Sequence, residues 1–214
     1  MKKISICIPA YNRAIYLTEL LNSIVNQNYK DYDINIIEDN SPQREQIREI
    51  VYDFKNRFNK IEFNYFENER NIGYDANLRK LFKLSKGEYC FCLGNDDVLC
   101  NYALISVANI LKKYKNIGVV VRSYATFRNN INKIEEIYRY SKDELYLTSS
   151  SKTIAFAFRR SVVISGMVFH RKSAVSVQTD LFDGSLLYQL HITSQLLASS
   201  NLVVNPLITV MYRK

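Results

Sequence analysis

Two adjacent carboxylates, Asp96-Asp97, follow the apolar run Glu88–Leu93 after Gly94-Asn95. Neighbouring acids repel, so they are stable together only beside solvent or a cation. A divalent ion bridging them to a diphosphate would fit, because Mg²⁺ and Mn²⁺ keep several waters and take one or two carboxylates plus phosphate oxygens. The competing reading is structural, with the pair capping a helix that begins near Asn101. Asp39 ends another apolar run; it could accept hydrogen bonds from a nucleobase or close an Asx-turn ahead of Pro42. His170 and His191 are the only histidines, so an all-histidine metal site is excluded and any metal must be held by carboxylates. Cys7, Cys90 and Cys92 lie in apolar runs, and Cys90 and Cys92 form C-x-C with no histidine near. They read as reduced thiols serving as small hydrophobes, neither zinc ligands nor a redox pair.

The elements that must position these groups alternate regularly through the first hundred residues. Ile4–Ile8 is a β-rich run stopped by Pro9, and Ala14–Gln27 carries apolar residues at helical spacing. Ile34–Glu38 reads as a buried strand, Arg44–Phe58 as an amphipathic helix and Ile61–Phe66 as a more exposed strand. Tyr74–Leu84 predicts a helix ended by Gly87, and Glu88–Leu93 a further strand. Such alternation gives βαβ units and an α/β fold with a mostly parallel sheet covered by helices on both faces. Ligands bind beyond the carboxyl ends of such strands. That rule selects Tyr11-Asn12-Arg13, Asp39-Asn40-Ser41, Glu69-Arg70-Asn71 and Asn95-Asp96-Asp97 as groups converging on one sheet edge. Beyond residue 100 the pattern loosens. Tyr102–Tyr114 and Leu186–Ala198 suit helices, Gly118–Val121 and Ile164–His170 suit strands, and residues 128–152 read as loop with one short element.

With 47% hydrophobic and 23% charged residues, the 214-residue chain is neither disordered, collagenous nor a coiled coil. No Gly-, Pro- or Ser-rich linker divides it, so residues 1–214 read as one domain. No apolar run approaches the ~20 residues needed to cross a bilayer. The start, Met1-Lys2-Lys3, precedes too short an apolar stretch for a signal peptide, and the expected location is the cytoplasm. The formal charge of +8 is lopsided. Residues 1–100 hold 14 Lys/Arg and 15 Asp/Glu, whereas residues 101–214 hold 15 and 6. The second half therefore either faces an anionic partner, such as a phosphate, a polyanionic chain or a membrane surface, or is simply a solvated basic face.

Pro9-Ala10-Tyr11-Asn12-Arg13 contains neither G-x-G-x-x-G nor a Walker lysine, which disfavours a dinucleotide oxidoreductase and a P-loop NTPase. Gly166 precedes no nucleophile elbow, so hydrolase readings gain little. Taken together, Ser5–Arg13, Ile36–Ser41, Asn71-Ile72-Gly73-Tyr74 and Gly87–Asp97 resemble the ordered motifs of family 2 glycosyltransferases of the GT-A fold. The Leu-Gly-Asn-Asp-Asp ending and Phe182–Leu190 are similar to members that build O-antigen or capsule. The resemblance implies a nucleotide-sugar donor (UDP- or dTDP-linked), a divalent cation (Mn²⁺ or Mg²⁺), inversion at the anomeric carbon and a glycan or lipid-linked acceptor. It implies no nucleic-acid partner, and it allows peripheral association with the inner face of the plasma membrane. Carried onto this chain, it makes Pro9, Ala10, Tyr11, Arg13 and Asn71 donor-binding residues. Asp39 would read the base, Asp96 would lie against the ribose or sugar, and Asp97 would hold the metal.

Two departures stand out. Members usually carry an acid before the donor Asp pair, where this chain has Gly94-Asn95. Many also carry a Glu-Asp pair supplying the general base, and by spacing that pair falls at Gln189-Leu190. Inversion needs a base for the attacking hydroxyl. Asp183 is the expected catalytic residue, ahead of Asp180 and His191; the alternatives are that the acids cap a helix and His191 is satisfied on one. Rival readings are a sugar-phosphate nucleotidyltransferase and a degenerate nucleotide-sugar-binding protein. Members usually continue past Met211-Tyr212-Arg213-Lys214, so a C-terminal extension is expected to be missing.

Overall fold

Alternation along the first strand decides the layering. In the computed structural model, which describes residues 4–214, Ile4, Ile6 and Ile8 face one core and Cys7 the other. The Met1-Lys2-Lys3 start lies outside the described residues. The first half follows the sequence expectation closely: β1 (Ile4–Ala10), α1 (Ala14–Val25), β2 (Tyr32–Glu38), α2 (Arg44–Arg57), β3 (Glu62–Glu67), α3 (Tyr74–Leu84) and β4 (Tyr89–Cys92). Then come β5 (Val98–Leu99), α4 (Ala103–Lys113), β6 (Ile117–Phe127), β7 (Glu136–Tyr138), β8 (Leu145–Leu147) and α5 (Ser151–Phe158). The chain continues with β9 (Val168–His170), α6 (Arg171–Ser176), α7 (Tyr188–Leu197) and β10 (Asn201–Arg213).

The main path through the sheet runs β3-β2-β1-β4-β9-β6-β10-β5. The pairs β3-β2, β2-β1, β1-β4 and β6-β10 are parallel; β9 runs antiparallel to both its neighbours. This is the mixed α/β sheet, mostly parallel, that the sequence called for. One face is packed by α1, α2 and α4 through Leu17, Leu21, Val51, Phe54, Leu104 and Val107. The other is packed by α3, α6 and α7 through Leu78, Phe82, Ala174, Ile192 and Leu196. Strand order reverses between β2-β1 and β1-β4, which creates the crevice where parallel sheets bind ligands.

The second half departs further from expectation. Residues 128–152 hold two strands, β7 and β8, in place of one short element. β9 covers only the end of the strand expected over Ile164–His170, and α6 follows it unannounced by the sequence pattern. β6 extends six residues beyond Val121, through the buried Arg122, Ser123 and Thr126, whose polarity hid the strand. β10 was not foreseen, because Asn205-Pro206 interrupts it; the strand absorbs them in a register shift between Asn205 and Ile208. The serine run read as loop is partly a helix start, since Ser150 accepts from the Thr153 N–H at 3.1 Å as the N-cap of α5. All four cysteines are free, and Cys7, Cys90 and Cys92 are buried. Burial pushes the Cys90 and Cys92 thiols up, which suits packing and not redox chemistry.

Candidate active site

At the carboxyl ends of β1, β2 and β4 the chain leaves each strand into a polar turn, and the turns share one cavity of about 770 Å³. Pro9, Ala10, Tyr11, Arg13, Asp39, Asn71, Asp96 and Asp97 all line it, so the eight residues expected at donor or metal are brought together. After β1 the backbone turns left-handed twice without glycine, at Asn12 (φ +55°) and Arg13 (φ +62°). Consecutive side-chain-bearing residues in that region carry strain that persists only where the surroundings enforce it. Here Asn95 Nδ2 donates to the Asn12 carbonyl at 2.9 Å, and Arg13 Nη1 donates to Asp96 Oδ2 at 2.8 Å, so the β1 and β4 turns are tied.

Asp39 does not form an Asx-turn. Its Oδ1 accepts from the Ile72 N–H at 2.9 Å and from Asn68 Nδ2 at 2.7 Å, and its Oδ2 accepts from the Gly73 N–H at 2.9 Å. The turn after β2 is instead closed by its neighbour. Glu38, fully buried, accepts from the Asn40 and Ser41 N–H groups and from Arg44 Nε. Asp39 thus anchors the 71–73 loop, and Oδ2, with one bond made, keeps the capacity to accept a second, as a base N–H would need.

The acid pair does not cap a helix either. β5 intervenes, and α4 begins at Ala103 with no side-chain cap. Asp97 is buried; its Oδ1 accepts from the Arg213 N–H at 2.8 Å and its Oδ2 from Ser165 Oγ. Burial first, then the charge of Asp96, pushes its carboxyl up to about 7. Arg213 braces the turn by donating from Nε to the Asp96 carbonyl at 2.9 Å. A hard cation fits this donor set, since it would favour the charged carboxylate against both the burial and the Asp96 charge that raise Asp97. Among the described residues no group of three or more His, Cys, Asp and Glu is arranged to hold a metal ion, so phosphate and water oxygens would complete the shell around Asp97.

The raised Asp97 carboxyl has a signed consequence. Between the unfolded value of about 4 and about 7 the folded protein keeps a proton that the unfolded chain has lost. Stability from this group therefore falls as pH rises through that window. Without added cation, the Tm of the wild type should drop relative to Asp97→Asn between about pH 5 and pH 7.5. Thermal melts across that range check it, and a widening advantage for the wild type would contradict it.

The acceptor side differs from expectation. Asp183 does not line the cavity. Arg79 grips its carboxylate with both terminal nitrogens, Nη2 at 2.7 Å, and this hydrogen-bonded ion pair holds it below the usual carboxylate range. A carboxylate so held is a poor proton acceptor. Neither Asp180 nor Asp183 caps α7; that work falls to Asp75, which the sequence reading passed over. Buried on α3, Asp75 accepts from the Gly184 N–H at 2.9 Å, the Leu186 N–H at 3.0 Å and the Tyr188 N–H at 3.1 Å. It holds Leu186 at φ +60°, a left-handed leucine on the cavity rim. Only its place one residue after the Asn71–Tyr74 motif hinted at this. Gln189, at the place where by spacing other members carry the Glu-Asp pair, lines the cavity; its Oε1 accepts from Tyr74 Oη at 3.1 Å and its Nε2 donates to the Val162 carbonyl at 2.7 Å. His191 Nε2 pairs with the Val177 carbonyl at 3.0 Å, the satisfied role.

A family model described as glycosyl transferase family 2 matches residues 5–174. The chain belongs to this family. It is 31% identical over 183 residues to the abequosyltransferase RfbV of Salmonella typhimurium, covering 84% of this chain and 54% of that protein. It is 30% identical over 128 residues to poly(ribitol-phosphate) beta-N-acetylglucosaminyltransferase TarP of Staphylococcus aureus, covering 58% of this chain and 37% of that one. The crystal structure of S. aureus TarS 1–349 in complex with UDP matches with a TM-score of 0.80 at 17% identity, over 99% of this chain and 60% of that chain. That likeness establishes the GT-A fold. The chain spans about half the length of the curated relatives RfbV and the glycosyltransferase RT0329 of Rickettsia typhi.

Proposed function

We propose that this protein is an inverting glycosyltransferase that moves a hexosyl or deoxyhexosyl group from a nucleotide sugar to a hydroxyl of a bacterial surface-glycan precursor. One observation carries the reading: donor-type groups from three strand ends and the Asn71–Tyr74 loop line a single cavity at the switch point of a family 2 fold. UDP- or dTDP-linked donors are the favoured class, with Asp39 and the loop it anchors reading the base. Asp97 would hold Mn²⁺ or Mg²⁺ against the diphosphate with Asp96 against the ribose or sugar, and the cation, when bound, would neutralise charge on the leaving group. Arg13, already on Asp96, lies where it can add positive charge to the same oxygens. The remaining work is alignment of the acceptor hydroxyl with the anomeric carbon. Asp183 suits the positioning of the 181–187 loop, and Gln189 can orient the acceptor but cannot take its proton.

The acceptor half favours an anionic partner at the cytoplasmic face of the membrane. Its excess positive charge is joined by exposed Val162, Leu181, Phe182, Leu186 and Leu187, of which Val162 and Leu186 reach the cavity. No helix of the described residues is long and apolar enough to cross a membrane. Association with anionic vesicles should be strong at low salt and largely lost near ~0.5 M, where screening is short-ranged. Flotation without binding even at low salt would count against this part.

Incubation with a panel of nucleotide sugars, Mn²⁺ and candidate acceptors, following nucleoside diphosphate, tests the whole. Release that disappears in Asp97→Ala supports transfer. Pyrophosphate-dependent nucleotide formation would select a nucleotidyltransferase. Tight donor binding without turnover would select a binding protein, the reading that Gln189 favours.

A further inference from the structure

Arg122 is a strand residue buried where an apolar one would ordinarily sit. It lies in β6 opposite Asn205, beside the irregularity of β10, with 1% of its surface exposed. Nη2 donates to the Val163 carbonyl at 2.9 Å, while Nε and Nη1 find no partner among the described residues. The guanidinium stands 4.9 Å from the Tyr124 ring centre. A Cβ on Gly166 would come within 2.8 Å of Nε, so the glycine is what leaves the side chain its space. A buried cation with unmet donors is costly, and apolar replacements of similar volume are often neutral or stabilising. The residue is therefore a poor choice for packing alone.

Its one hydrogen bond reaches the cavity wall. Val163 and Ile164 lead to Ser165, whose Oγ accepts from the Gly94 N–H at 2.7 Å and donates to Asp97. Val162, Val163, Ile164 and Ser165 all line the cavity. Behind that wall the buried positive charge favours the ionised form of Asp97, a smaller effect than the burial and the Asp96 charge that oppose it. We infer that Arg122 is a positioning residue of the transfer site: through the Val163 carbonyl it fixes the segment that holds Ser165 on Asp97. This rests on the reading of Asp97 as the group that acts on the diphosphate.

Arg122→Met and Arg122→Lys separate this from an ordinary core role. Backbone deuterium exchange in Arg122→Met should be at least tenfold faster in residues 94–97 and 163–166 and unchanged in β1–β3, with Tm at or above that of the wild type. UDP affinity in the presence of Mn²⁺ should fall about tenfold, and Arg122→Lys should recover most of both losses. Unchanged exchange in those two segments would overturn the inference. So would a uniform loss of protection with a falling Tm and no recovery by lysine. If the wild type binds no nucleoside diphosphate, the proposed function fails while the exchange data still decide the role of Arg122.

Discussion

Asp97→Asn is expected to reduce transfer by a factor of about 10²–10³, the range seen when one preorganised electrostatic contact to a developing charge is lost. The same change should leave the protein as stable as the wild type, or more so, at about pH 7.5. Asparagine takes nearly the same space, keeps an oxygen for the Arg213 N–H and removes a buried charge held beside Asp96. Stability and activity moving in opposite directions is the mark of a residue kept for chemistry. Melting curves and nucleoside diphosphate release on one preparation check both halves. A variant that turns over normally, or one that fails only because it unfolds, would remove Asp97 from the site.

Asp75→Ala should be the most damaging change outside the donor groups. Three backbone N–H groups lose a buried carboxylate acceptor, at about 1 kcal/mol or more for each that finds no replacement. A loss of about 2–4 kcal/mol corresponds to a fall in Tm of roughly 5–15 °C for a chain of this size. The 181–187 loop should lose its shape before the sheet does, since Gly184 and Leu186 hold left-handed conformations that Asp75 helps to enforce. In the variant, KM for acceptor should rise more than KM for donor. Equal changes in both constants would argue that Asp75 supports the whole fold and not the acceptor side.

What could be read from the sequence follows how local the causes are. Strands β1 to β4 and helices α1 to α3 are set by period-two and period-3.6 apolar patterns within single segments, and they stand close to where those patterns put them. The residues expected at the donor were visible because each lies in the turn or loop after a strand, and sheet topology gathers strand ends without further information. Arg122 and Pro206 concealed β6 and β10, because a buried guanidinium and a ring without an N–H are tolerated there only through tertiary contacts. Asp75 was illegible for a related reason. On a helix it looks like any surface acid, and its partners lie more than a hundred residues away. Asp183 shows the converse: its loop looked right for a base, but Arg79, itself distant in sequence, claims the carboxylate.

The central claim is that the turns after β1, β2 and β4 and the loop before α3 form one site for a nucleoside diphosphate and a divalent cation. Calorimetric titration with UDP, dTDP, CDP and GDP, each with and without Mn²⁺, tests it most directly. At least one of them should bind the wild type, and Mn²⁺ should tighten that binding tenfold or more, about 1.4 kcal/mol, with the gain absent in Asp97→Asn. Binding of none of the four, or binding that Mn²⁺ strengthens equally in wild type and Asp97→Asn, would contradict the account.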